Sequence, residues 1–504
     1  MSTKYFSTEP VWGASIPKPE GFSSLPGSAE ADVVIIGAGI TGISTAYNLS
    51  KKGLKVIVLD SGETGKGTTG SSTGNLYVPT AQFHSILSKH GQEGLFAVVS
   101  ARTAALAYIE ERIKEFSIDC GFRKVPWFYF TGKKSGINEI EKEYNAMKSG
   151  GLTVLDALTA DFPFKVKAAV RVNMQAQFNP LQYVQKLAAA INGGNCSIYE
   201  NTRVTNIKDG NPCYVETTRG TVTAGYVVQA THTPKGIYGV HAMMEVYREF
   251  AIAVKLNGQL PEDGIYWDHE GKDKYSVRTY TSPAGSYLIV LDDSYKVGHM
   301  ERTRRGFKKI EKYARSIFDV NEVSYLWAAQ NYSPADYIPF IGTSPLQKNV
   351  FIATGFSADG LIYGTAGSMI ISDLITGVMN PWAKTFDPVR LSPIASMKTI
   401  KGNLDVTANL ISDYILKSHD EELSSIRKGE SRIVNYNKEK AAAFRDNDDR
   451  LHVVSAACPH MGCIVHWNNA EQSWDCPCHG SRFDVDGKII EGPAFNDLKQ
   501  FLIG

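Results

Sequence analysis

Apolar positions along the chain follow two different periods, and the change from one to the other divides it. An uninterrupted apolar run at Val33–Ile36 predicts a buried strand. Residues 41–52 then place Ile43, Ala46 and Tyr47 at helical spacing, and "KVIVLD" is a second buried strand. Helical patterns predict further helices at about 92–116, 137–149, 180–193, 303–318 and 364–376. Residues 203–231 alternate short β-like runs with Gly and Asn turns. From 250 to 300 the pattern is mostly strand, clearest in "AIAVKL" and "YLIVL". Residues 381–416 lose this regularity and contain Pro381, Pro388 and Pro393. Beyond about 417 only short strands remain, as in "SRIVNYN", "KAAAFRD" and "LHVVSAA".

These patterns predict an arm at 1–30, rich in Ser, Pro and Gly, and a large α/β unit at 31–380. A linker at 381–416 and an all-β module at 417–504 complete the chain. At 504 residues, more than one domain is expected.

Composition changes this picture little. With 43% hydrophobic residues, 21% charged residues and a formal net charge of +1, nothing calls for nucleic acid or an anionic membrane surface. The first residues show no secretory signal, and no stretch reaches the roughly 18 apolar residues that suggest a membrane span. Cys120, Cys196 and Cys213 are scattered singly, as in a reduced compartment, so a cytoplasmic protein is expected. The other four of the seven cysteines fall between 458 and 478, and that concentration needs a chemical reason.

Gly37-Ala38-Gly39-Ile40-Thr41-Gly42 is a G-x-G-x-x-G between the first strand and helix, and Asp60 ends the second strand. In that setting Gly37 permits a tight turn, Gly39 lets the backbone approach a pyrophosphate, and Gly42 lets helix and strand pack. The helix N-terminus adds partial positive charge, and the acid can accept hydrogen bonds from a ribose. "GKGTTGSSTGN" (65–75), which includes Thr69 and Ser72, supplies small residues able to wrap a phosphate and flavin. With the β-rich stretch from Val204 to Thr233 and the late strand–turn–helix "NVFIATGFSADGLIYGTAGSMIISDLI", these segments resemble the D-amino-acid oxidase-like flavoproteins over roughly 31–380. The resemblance implies FAD, with Gly37, Gly39, Gly42 and Asp60 on its ADP half and Val204 at the adenine. Gly355, Phe356 and Gly360 would line the flavin ring. It also implies a doubly wound FAD-binding domain with an antiparallel substrate-domain sheet.

In the tail, "CPHMGC" (458–463) and "CPCHGS" (476–481) bring four cysteines and two histidines into two loops. A structural zinc site needs four ligands and usually shows C-x2–4-C with H-x3–5-H spacing. Here the spacings are C-x-H and C-x-x-H, which match the Rieske [2Fe–2S] arrangement of two cysteines on one iron and two histidines on the other. The resemblance to Rieske domains covers about 417–504 and includes "GPA" (492–494). It implies Cys458, Cys476, His460 and His479 as ligands, Cys463 and Cys478 as a disulfide, and Ser481 as a hydrogen-bond donor to cluster sulfur. Phe483 stands where relatives often carry Tyr, which implies a lower potential. His452 and His466 fit no ligand position.

Joined on one chain, a flavin and a Rieske cluster split a two-electron reduction into single electrons. The resemblance implies oxidation of a C–N bond of a small amine or amino acid, with electrons leaving to a one-electron acceptor protein or quinone-like acceptor. Lys296 in "SYKVGHM" stands in a setting similar to the flavin-proximal lysine of sarcosine oxidases, and Arg248 and Arg278 are candidates to pair with a substrate carboxylate. A reductase feeding a separate oxygenase is the alternative, although no second strand–GxGxxG–helix unit is present. A self-contained oxygenase would need a mononuclear iron site, for which His84 and His90 offer no acid-rich frame.

Overall fold

The computed structural model describes residues 8–15, 20–157, 162, 166–236, 238–270, 273–292, 295–299, 303–345, 347–390 and 423–502. Most of the expected linker therefore lies outside the described residues.

The first apolar run becomes the strand Ala29–Ile36 at the centre of an eight-stranded sheet. It pairs in parallel with Val56–Leu59 on one side and Gly220–Gln229 on the other. Cys196–Tyr199 and Val350–Thr354 extend the parallel set outward, and Phe340–Thr343 closes one edge antiparallel. Buried on both faces, the central strands read as continuous apolar runs rather than alternating ones, as parallel strands do. Ile40–Lys51 and Gly360–Ile375 pack against each other beside this sheet.

A ten-stranded sheet forms the second layer. It is mostly antiparallel, but Ile265–Glu270 runs parallel to Arg123–Thr131, so the expected antiparallel sheet is in fact mixed. Its longest pairing is Met244–Leu256 with Val320–Pro334, a twisted ribbon with two register shifts. The tail folds as a three-stranded and a four-stranded sheet around Phe444, Val454, Trp474 and Phe483.

Helix positions agree closely with the periodicity at Ile137–Ser149, Pro180–Ile191 and Arg304–Ile317. The helix expected at 92–116 begins earlier, at Phe83, because a turn before Gly91 joins it across a kink where Gly91 has φ +66°. The expected arm is not loose throughout. Val11 and Trp12 are fully buried, and the Trp12 indole donates to Ser72 O at 2.9 Å. No described helix is long and apolar enough to cross a membrane.

Candidate functional site

The glycine-rich turn is tight for steric reasons. A Cβ at Gly42 would sit 1.8 Å from Gly37 O, and one at Gly37, where φ is +105°, would sit 2.5 Å from Ala230 O. At Gly39 the nearest atom would be the Thr69 hydroxyl at 3.0 Å, so this glycine keeps space in front of the turn rather than within it. The helix from Ile40 has no side-chain cap, leaving first-turn N–H groups for an outside acceptor, while Thr69 Oγ1 accepts from Ile40 N at 3.1 Å. Asp60 accepts from Ala38 N at 2.7 Å and Gly62 N at 2.8 Å. Burial pushes its carboxyl up, and these two N–H groups only partly oppose that. Ser72 caps Thr69 O, and Val204 is buried at the start of its strand. Gly355 has φ +79°, and a Cβ there would strike Pro334 at 2.7 Å. Phe356 is buried, and Gly360 opens a helix whose N-terminus lacks a side-chain cap.

Between the 355–360 turn, through Ser357, Ala358 and Asp359, and the ten-stranded sheet lies a cavity of about 130 Å3. Tyr77, Trp127, Tyr247 and Trp267 give it aromatic walls, and Glu249, Asp292, Asp359 and Lys274 give it charge. Asp359 is fixed by Arg102 at 2.8 Å and the Tyr77 hydroxyl at 2.6 Å. Arg102 itself is fully buried and also donates to the carbonyls of Tyr77, Val78 and Pro79.

In the tail, Cys458, His460, Cys476 and His479 are all buried on two adjoining loops, and a disulfide joins Cys463 to Cys478. The sulfurs of Cys463, Cys476 and Cys478 lie within 4.8 Å of one another, but the disulfide removes two of them as thiolates. Cys458 and Cys476 remain as free thiols that hydrogen-bond each other; Cys458 is pushed down and Cys476 up by that contact. His460 Nε2 lies 3.1 Å from Gly236 O, so a donor role there leaves Nδ1 with its lone pair. His479 Nδ1 is buried without a hydrogen-bond partner among the described residues. Burial lowers its pKa to about 4, keeping the ring neutral, as ligation requires. Two soft sulfur donors and two neutral imidazoles fit a [2Fe–2S] cluster of this type.

Residues 32–374 match the family described as FAD dependent oxidoreductase, and residues 417–502 match the Rieske [2Fe-2S] domain. The chain belongs to the FAD-dependent oxidoreductase family. It carries a C-terminal Rieske domain, and its cofactors are FAD and a [2Fe–2S] cluster. Over 99% of both chains this oxidoreductase is 32% identical to the "Putative Rieske 2Fe-2S iron-sulfur protein YhfW" of Bacillus subtilis (strain 168). It is 30% identical to the gamma-glutamylputrescine oxidoreductase of Escherichia coli (strain K12), over 44% of this chain and 54% of that one. The fold is that of glycine oxidase from Geobacillus kaustophilus, with a TM-score of 0.59 at 18% identity, covering 72% of this chain and 99% of that one.

The oxidoreductase's three expected catalytic residues are placed elsewhere than the cavity. Lys296 sits on a short edge strand, 38% exposed, with its ammonium 2.8 Å from Glu245. Arg278 is buried and donates to the carbonyls of Thr73, Gly74 and Phe178, holding the 65–75 loop against the sheet. Arg248 turns away from the cavity and donates to Glu471 of the Rieske domain. Lys296 was expected beside the flavin, and Arg248 and Arg278 at a substrate carboxylate; none of the three is among the residues that line this cavity.

Sequence reasoning missed the residues that join the two halves. Gln330 Nε2 donates to Gly480 O at 2.9 Å, and Tyr332 OH donates to Gly492 O at 3.3 Å. His241 packs edge-on against His460, with ring centroids 5.3 Å apart. Glu491 lies 3.3 Å from His232, 3.6 Å from Arg248 and 3.7 Å from Arg482. A signal was present: strand-period alternation in "VYREF" puts Val246 and Arg248 on one face and Tyr247 and Glu249 on the other. In the ribbon, Val246 pairs with Tyr332 and Arg248 with Gln330, all toward the Rieske loops. Tyr247 pairs with Asn331, and these two line the cavity with Glu249 and Ser333.

Proposed function

We propose that this protein oxidises a C–N bond of a small amine or amino acid and passes the electrons singly through its Rieske cluster to a one-electron acceptor, a protein or a quinone-like molecule. The ribbon carries this reading: its two strands present one face to the cavity and the other to the cluster loops. Bound FAD supplies the two-electron oxidation, and the bound cluster accepts one electron at a time. In this reading Gly37, Gly39, Gly42, Asp60, Thr69, Ser72 and Val204 hold the nucleotide half, and Gly355, Phe356 and Gly360 face the ring. Cys458, Cys476, His460 and His479 hold the cluster.

The chain's own residues orient and enclose the substrate. The aromatic walls offer apolar faces for the substrate to pack against, beside the charged groups of the lining. Arg102 and Tyr77 keep the Asp359 carboxylate fixed at the cavity edge. Overall, the substrate loses two electrons and two protons to give an imine, which water hydrolyses. A cytoplasmic location is part of the proposal, supported by Cys120, Cys196 and Cys213 being buried free thiols. Anaerobic mixing of the purified holoenzyme with a panel of amines and amino acids tests the reaction class. Bleaching of the flavin with carbonyl product formation is expected; an unbleached flavin across the panel would contradict it.

A further inference from the structure

The segment 230–236, which follows the strand Gly220–Gln229, lies between the nucleotide turn and the Rieske domain. On the first side Ala230 N donates to Ile36 O at 2.9 Å, and a Cβ at Gly37 would sit 2.5 Å from Ala230 O. On the second, Gly236 N donates to Pro493 O at 3.0 Å and the Lys235 ammonium to Ala494 O at 3.3 Å. Phe495 of the Rieske domain packs against the apolar cluster that holds Ile36 and Val204. Within the segment, His232 has a φ of +67°, a conformation that a non-glycine residue keeps only where its surroundings fix it. Three groups of contacts do so. Its carbonyl accepts from the Thr354 hydroxyl at 2.7 Å, and its ring meets Tyr332 edge-on with centroids 4.8 Å apart. Its Nδ1 lies 3.1 Å from Thr68 Oγ1, in the 65–75 loop, and 3.3 Å from Glu491 Oε1, in the Rieske domain.

We propose that His232 is a positioning residue that couples loading of the flavin site to docking of the Rieske domain. The proposal goes beyond the reaction proposed above and holds for any substrate. Both side-chain links run through one ring atom. Burial raises the Glu491 carboxyl, but His232, Arg248 and Arg482 outweigh burial and hold it at about 2, so at neutral pH Glu491 only accepts. Nδ1 therefore carries the proton and shares it between Glu491 and the Thr68 oxygen. The Thr68 hydroxyl keeps its own proton for an acceptor held by the 65–75 loop, which the reading above assigns to FAD. With FAD in this loop Thr68 is fixed, Thr68 orients the imidazole, and the imidazole fixes Glu491. The coupling is reciprocal: a docked Rieske domain must tighten flavin binding by the same factor. The one-electron outlet is thus held most firmly when the two-electron centre is filled.

The test takes the full chain, cluster loaded, with its FAD removed and then restored, and reads hydrogen exchange in the strand Ile489–Glu491. FAD should slow exchange there on the order of tenfold, within the usual range of coupling between two sites. His232→Leu should abolish that difference and raise the FAD dissociation constant by a similar factor. His232→Asn, whose side-chain amide can place an N–H where Nδ1 stands and which tolerates positive φ, should restore both. A role in packing alone would change stability with and without FAD and leave the FAD effect intact. Should His232→Leu fold poorly, Thr68→Val cuts the same link from the loop side and should give the same loss. Exchange indifferent to FAD in the native chain, a FAD effect that survives both His232→Leu and Thr68→Val, or a His232→Asn chain that behaves as His232→Leu would each overturn the proposal while leaving C–N oxidation intact. A native chain that binds no FAD would overturn the cofactor reading as well.

Discussion

Tyr247 and Arg248 are adjacent in the chain and serve opposite sides of one strand: Tyr247 lines the cavity, and Arg248 is paired with Glu471 of the Rieske domain. The period-2 alternation of a strand thus places the cavity side and the Rieske side one residue apart. The Arg248 side chain is only 2% exposed and Glu471 11%, so this pair is shielded from solvent on both sides.

Replacing Arg248 by Met should therefore loosen the Rieske domain rather than the cavity. Glu471 would keep Arg482 at 3.1 Å, so the cost should fall below the roughly 3–5 kcal/mol of a buried charge left wholly uncompensated. Flavin reduction by substrate should stay near the native rate, while the following cluster reduction slows and the tail becomes sensitive to limited proteolysis. Equal slowing of both steps would place Arg248 in the reaction after all.

Gly39 and Gly42 separate ligand binding from packing. Gly42→Ala drives a methyl against Gly37 O at 1.8 Å, so unfolding should come earlier on heating whether or not flavin is present. At Gly39 an added Cβ meets only the Thr69 hydroxyl at 3.0 Å, so Gly39→Val should fold but be purified without flavin, as the side chain fills the pyrophosphate's approach. Normal flavin content in the Gly39 variant would remove that residue from the nucleotide site.

Acid should undock the tail through Glu491. Burial alone would raise its carboxyl, but His232, Arg248 and Arg482 outweigh burial and hold it at about 2, below the ordinary 4.5. A depressed folded value means the stabilisation is complete above about 4.5 and is lost as pH falls toward 2. Glu491→Gln should flatten the pH dependence of tail protection between those values, measured by hydrogen exchange at the 489–491 strand. An unchanged profile would show that another group governs undocking.

How much of this was legible in the sequence follows from the range of the forces involved. The strand–turn–helix around Gly37 is local, so apolar runs and glycine spacing disclosed it, as did the paired loops of the tail. The roles of Arg248, Arg278 and Lys296 depend on partners 223, 205 and 51 residues away, at Glu471, Thr73 and Glu245, and nothing local marks those pairings. An arginine on a strand can face substrate, carbonyl or another domain with the same neighbours in sequence. Arg102 shows the converse: it sits within a plain helical pattern, yet its guanidinium organises Asp359 and three carbonyls at the cavity edge.

In the proposed reaction, electrons from the substrate reach the Rieske cluster within one chain. Rapid-freeze electron paramagnetic resonance after anaerobic addition of a reducing amine tests it most directly, with Cys476→Ser and Cys478→Ser as paired controls. In the native enzyme the reduced-cluster signal should rise as the flavin bleaches, at a rate independent of protein concentration. Cys476→Ser, which loses a soft ligand the iron needs, should bleach its flavin and show no cluster signal, whereas Cys478→Ser should retain a less stable cluster that is still reduced. A native flavin that bleaches while the cluster stays oxidised would show that the electrons leave by another route.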